Sequence, residues 1–219
     1  MDTSEKIIGL PILISARHRV VLDQGLCRRY GIPENGPVQA IIGSETISIF
    51  PVGAQIPAAE QKQVTIGRFN LPTRWAKQNH AEIGRYAFLS ATEQGLQIRV
   101  IPSTPQQCRQ SRVLGIPIKI FKGNLIYIPK TFWKHFAIQP NHGQVIREET
   151  DNRLIFRKYR PEQFPDVKKV LLVYRSSIHV QLEWMSKNEL NVGDTVWLFG
   201  TSDGPMVSTR PAYENFDCR

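Results

Sequence analysis

Arginines and lysines in short, recurring clusters are the residues of this sequence whose types and spacing could do chemistry. Arg17 and Arg19 stand one residue apart within a β-branched stretch, and Arg28 and Arg29 follow on a short helix-like segment. Arg68, Lys77, Lys119, Lys122 and Lys134 recur in similar surroundings farther along. Several cationic groups projecting from one rigid rim suit a polyanion, because a guanidinium can grip a phosphate or a guanine edge through two parallel hydrogen bonds. For any single residue the plainer role is to hydrate an exposed face, and the group carries more weight than its members. Trp75, Phe132 and Trp133 pose a related choice between base-stacking platforms and core. Phe132 falls on the helix position that Leu26 fills and reads as core, whereas Trp133 is left open.

No enzymatic constellation accompanies these cations. His18, His80, His135, His142 and His179 form no HExxH, and no GxSxG, Walker loop or dinucleotide fingerprint is present. Asp151, Asp194 and Asp203 have the Asn or Gly neighbours expected of turns. The chain is therefore expected not to be an enzyme and to need no metal or cofactor.

Charge and composition narrow the classes further. The 219 residues include 28 Lys+Arg against 19 Asp+Glu, a formal charge of +9, with 41% hydrophobic residues. Residues 106–169 carry net +8 and residues 170–219 net −2, so the basicity is concentrated in the middle of the chain. Apolar runs are strand-sized, far short of the roughly 20 residues of a membrane helix. The N-terminal stretch has acids before Lys6 and is broken by Gly9 and Pro11, unlike a secretory signal. Three cysteines, Cys27, Cys108 and Cys218, make no CxxC pair, which points to free thiols in a reducing, cytoplasmic setting.

The elements that must position the cations come from an internal repeat. Four segments, residues 7–52, 62–102, 113–161 and 167–211, share an order of strand, helical stretch, glycine and further strand. Their strands end at Leu22, Leu71, Ile128 and Leu182, followed by Asp23, Pro72, Pro129 and Glu183. Gly36, Gly84, Gly143 and Gly193 come next, and Pro51, Pro102, Pro161 and Pro211 close the units. The offset between first and third units nearly equals that between second and fourth, the mark of a duplicated pair. Units this small should pack in twos, and the polar stretch 103–112 is the expected boundary between domains 1–105 and 106–219. In the first unit residues 12–22 read as strand, turn and strand, 24–30 as a helix stopped by Gly31 and Pro33, and 38–42 with 46–50 as a hairpin. The third unit repeats this over 116–121, 125–128, 129–136, 144–147 and 153–158.

Residues 19–32, RVVLDQGLCRRYGI, resemble the signature of the AbrB/MazE/MraZ swapped-hairpin superfamily. GRFNLP at 67–72 and IPKTFWKHFAI at 128–138 are similar to the same strand and helix, and LNVGDTV at 190–196 to the turn that follows. Asp23 replaces the family's proline, Cys27 stands where arginine is common, and 178–190 lacks both the proline and the basic helix. The resemblance implies a mainly β fold in which four β-β-α-β-β units form two tandem swapped-hairpin barrels. It also implies a prokaryotic, nucleoid-associated transcriptional regulator that binds double-stranded DNA through the first hairpin and short helix. Carried over by position, this nominates Arg17, Arg19, Arg28 and Arg29, then Arg68 and Lys77, then Lys119, Lys122 and Lys134. The fourth unit offers only Arg175. The alternative is a protein-interaction module, antitoxin-like or adaptor, using the acidic fourth unit; further homodimerisation stays open.

Overall fold

The computed structural model describes residues 9–54, 56–92, 95–100, 113–167 and 169–213. Its contacts divide the chain after Leu114, with Gly115–Tyr213 as the second compact unit. The expected linker, 103–112, lies outside the described residues.

In the first half the elements are β1 (Leu10–Leu13), a 3-10 turn (Ala16–His18), β2 (Arg19–Val21), α1 (Gln24–Arg29), β3 (Gly36–Ile42) and β4 (Thr46–Phe50). There follow β5 (Glu60–Thr65), β6 (Arg68–Asn70), α2 (Thr73–Gln78), β7 (Tyr86–Ala91), β8 (Leu96–Arg99) and a short β9 (Val113–Leu114) beside β7. The second half has β10 (Ile116–Phe121), β11 (Leu125–Tyr127), α3 (Lys130–His135), β12 (Gln144–Thr150) and β13 (Arg153–Lys158). It ends with β14 (Leu171–Leu172), β15 (Ser177–His179), α4 (Leu182–Lys187), β16 (Thr195–Gly200) and β17 (Pro205–Ser208).

Strands are exchanged between neighbouring repeats. The opening strand β1 pairs with β7 of the second repeat, and β5 pairs with β3 of the first. β10 pairs with β16 and β14 with β12 in the same way. The order β1-β7-β8-β4-β3-β5-β6-β2 is nearly closed into a barrel-like sheet by the Ser15–Arg19 bridge, and β14-β12-β13-β17-β16-β10-β11-β15 by the Tyr174–Ser177 bridge. Along β2, β6, β11 and β15 alternation then buries one side of the strand. Val20 and Phe69 are cross-strand partners inside the first barrel, as Ile126 and Ile178 are inside the second.

Four helices of six residues follow one local code. Each C-terminus is a Schellman motif: the third residue past the helix end donates back across the last turn, Ile32 N–H to Cys27 O, Ala81 to Ala76, Ile138 to Trp133 and Leu190 to Met185, at 2.8–2.9 Å. The left-handed residue this motif requires is Gly31, His80, Ala137 or Glu189, so only one unit uses glycine there. Two adjacent side chains on each helix are buried, Leu26 and Cys27, Trp75 and Ala76, Phe132 and Trp133, Trp184 and Met185.

Two expectations are corrected by this register. In the fourth unit β15 ends at His179, buried Val180 follows and Gln181 is the N-cap; Leu182 is the first helical residue and is 62% exposed, so it is not the strand end read from the sequence. Pro129, like Pro72, is an N-cap, so α3 covers Lys130–His135 and is shorter at both ends than the 129–136 expected. Asp23 holds the same place, where its carboxylate accepts from Leu26 N–H at 2.9 Å.

Candidate nucleic-acid interface

The first hairpins of repeats one and two meet along β2 and β6, in the register Arg19–Asn70, Val20–Phe69 and Val21–Arg68. With Val20 and Phe69 turned inward, Arg19, Val21, Arg68 and Asn70 share the outward face. The Ser15–Arg19 bridge and the Thr65–Arg68 pair extend it into two rows, Ser15–Arg19–Asn70 and Thr65–Arg68–Val21. Arg19 and Arg68 are diagonal neighbours, with backbones roughly 7–8 Å apart, so their guanidinium groups can grip one anion or successive phosphates. Arg19 Nε also donates to Ala16 O at 3.4 Å, anchoring the stem of the side chain.

Each helix starts beside the other repeat's turn. Leu22 N–H donates to Gly67 O and Leu71 N–H to His18 O, both at 2.9 Å. Arg28 on α1 consequently lines a small cleft with Gln24, Glu34 and Gly67, next in chain to Arg68. Lys77 holds on α2 the helical position of Arg28, and Arg29 is exposed beside it. Arg17 and His18 are the left-handed pair of the first turn. The sequence reading passed over Arg74, exposed in the first turn of α2 and thus close in chain to the Leu71–His18 contact; its place two residues after Pro72 was the available signal. Among the described residues, Arg17, Arg19, Arg28, Arg29, Arg68, Arg74 and Lys77 have no ion-pair partner within 4.0 Å.

The second barrel has the same frame and different chemistry. In the register Leu125–His179, Ile126–Ile178 and Tyr127–Ser177, the places of Arg19 and Arg68 fall to Leu125 and Ser177. Lys119 lies on the part of β10 paired with β16, where its Nζ donates to Gly193 O at 3.0 Å. Lys122 is exposed at the turn, and Lys134 repeats the position of Arg28 on α3. The net charge of residues 106–169 also overstates the free cations there. Arg157 pairs with Glu148 and Asp203 at 3.0 and 2.9 Å, and Arg147 with Glu149 at 3.7 Å and with the Gln181 amide oxygen.

Trp75, Phe132 and Trp133 are buried, which removes them as stacking platforms; Trp133 is fully enclosed and donates its indole N–H to Ser176 O at 3.2 Å. Cys27 is buried against the first barrel, and that burial, aided by the Asp23 carboxylate, raises its pKa to about 11. Among the described residues no helix is long and apolar enough to cross a membrane, and no cluster of three or more His, Cys, Asp or Glu could hold a metal. Compared with known proteins, the chain matches no family model, no curated protein and no solved structure.

Proposed function

We propose that the protein is a DNA-binding regulator of transcription, built of AbrB-like swapped-hairpin units, and that the outward face of β2 and β6 is its main duplex-binding surface. The observation that carries this reading is the pair of diagonal arginines, Arg19 and Arg68, without ion-pair partners among the described residues and flanked by Arg17, Arg28, Arg29 and Lys77. The exchange of opening strands between repeats supports the swapped-hairpin assignment. On this reading Arg19 and Arg68 address base edges or the phosphates that border them, while Arg28, Arg29 and Lys77 of the same barrel hold the backbone.

A low-salt mobility-shift assay on a random duplex pool, followed by selection of the tightest binders, tests the proposal. Binding should weaken with salt at a slope of about −0.9 per phosphate contact. Absence of duplex binding, together with capture of a protein partner that Arg19→Ala and Arg68→Ala leave intact, would favour the interaction-module alternative.

A further inference from the structure

On the face where the first barrel has its arginines, the second carries exposed aromatics beside the places that Leu125 and Ser177 fill. Phe121–Leu125–His179 form one cross-strand row, and Tyr127–Ser177–Tyr174 the next on the same outward face. Phe121 is 55% exposed, Tyr127 44% and Tyr174 57%, large values for side chains that could have been buried. The two tyrosines flank the smaller Ser177 in this row. The Arg175 guanidinium lies 5.2 Å from the centre of the Tyr174 ring.

Charge decides what such a face can receive. Residues 113–128 and 169–181, which include β10, β11, β14 and β15, contain Lys119, Lys122, Lys169 and Arg175 and no carboxylate at all. A second copy of this face would meet like charges, and an apolar protein patch would leave the cations unanswered. A polyanion carrying flat π-faces satisfies both features. In a duplex those faces are stacked on one another, so protruding aromatics reach them only in an unpaired strand.

We propose that the outward face of β10, β11, β15 and β14 binds single-stranded nucleic acid, with Phe121, Tyr127 and Tyr174 stacking on bases and Lys122 and Arg175 contacting the backbone. This site is separate from the duplex surface of the first barrel and does not depend on it. Fluorescence anisotropy of the full-length protein with labelled dT15, rU15 and an abasic strand of the same length provides the test. At moderate salt the base-bearing strands should bind at least tenfold more tightly than the abasic one. Tyr127→Ala and Tyr174→Ala, both at exposed positions, should each weaken them about tenfold, with little change in duplex affinity. Preference between dT15 and rU15 then identifies DNA or RNA as the source. Arg19→Ala with Arg68→Ala should spare strand binding, which separates failure of this proposal from failure of the duplex reading. Equal affinity for the abasic strand, or tyrosine variants that bind like the parent, would overturn it, as would a dimer in sedimentation that those variants dissociate.

Discussion

Arg19 and Arg68 lie on strands whose inward neighbours, Val20 and Phe69, are fully buried, so either arginine can be removed without opening the core. Replacement by Ala should cost about 1–3 kcal/mol of DNA affinity where the side chain reads a base, and relax specificity at that position. Competition between one selected site and a random duplex measures both effects. Ile66, β-branched and exposed, sits at φ 50° in the two-residue turn of β5 and β6, held by Asn35 through a 2.7 Å bond from Ile66 N–H to the side-chain oxygen. Left-handed backbone is costly for such a residue, so Ile66→Asn should stabilise the fold by about 1 kcal/mol, read as a higher denaturant midpoint. Cys27 gives a pH signature. Its folded pKa of about 11 exceeds the ordinary 9.0, so the folded state holds the proton more tightly. This contribution to stability is complete below pH 9.0 and is lost as pH rises toward about 11. Denaturation of the parent and of Cys27→Ala across that window should show a steeper decline for the parent. The cationic residues were legible in the sequence because charge and spacing are local properties. Their pairing was not: Arg19 and Arg68 become neighbours only through a strand ladder between residues 49 positions apart.

At the scale of elements, the ends of α1, α2 and α4 brace the other repeat. Asn79, the C-cap of α2, donates its side-chain amide to Ser44 O at 2.9 Å in the turn between β3 and β4. Asn188, the C-cap of α4, does the same to Asp151 O at 2.8 Å, and the Tyr30 hydroxyl reaches Thr92 O from α1. Asn79→Ala or Asn188→Ala should each cost about 1–2 kcal/mol, since a turn carbonyl loses its partner and the C-cap loses a local bond; equilibrium urea unfolding checks it. Close approach explains two turn glycines as well, because a Cβ at Gly95 would collide with Ile49 O, and one at Gly204 with Phe156 O. Helix positions could be read from breakers such as Gly31 and Pro33, and the recurring order of elements from the spacing of glycines and prolines. The fourth unit was misread by two residues because Leu182, like Val180, is an aliphatic that could end a strand, whereas the Schellman turn at Glu189–Leu190 fixes the register through backbone bonds that leave little trace in side-chain type.

At the scale of the molecule, strand exchange makes the pair of repeats the smallest folding unit. A fragment of residues 1–114 should unfold cooperatively, whereas residues 1–54 alone, lacking the partners of β1, β2 and β3, should be unfolded as a monomer by circular dichroism. A folded monomeric 1–54 fragment would show that the exchange contributes little. Segment charge concentrates the basicity in residues 106–169, but internal pairs with Glu148, Glu149 and Asp203 occupy Arg147 and Arg157 there, and the two diagonal arginines without ion-pair partners among the described residues belong to the first barrel. The most direct measurement is duplex affinity against salt for the parent and for the Arg19→Ala, Arg68→Ala double variant, with circular dichroism confirming that both fold. Binding by the parent should be salt-sensitive, and the double variant should lose at least tenfold in affinity, with a slope flattened by about one unit for each phosphate contact removed. Undiminished duplex binding by a folded double variant, with an unchanged slope, would contradict it.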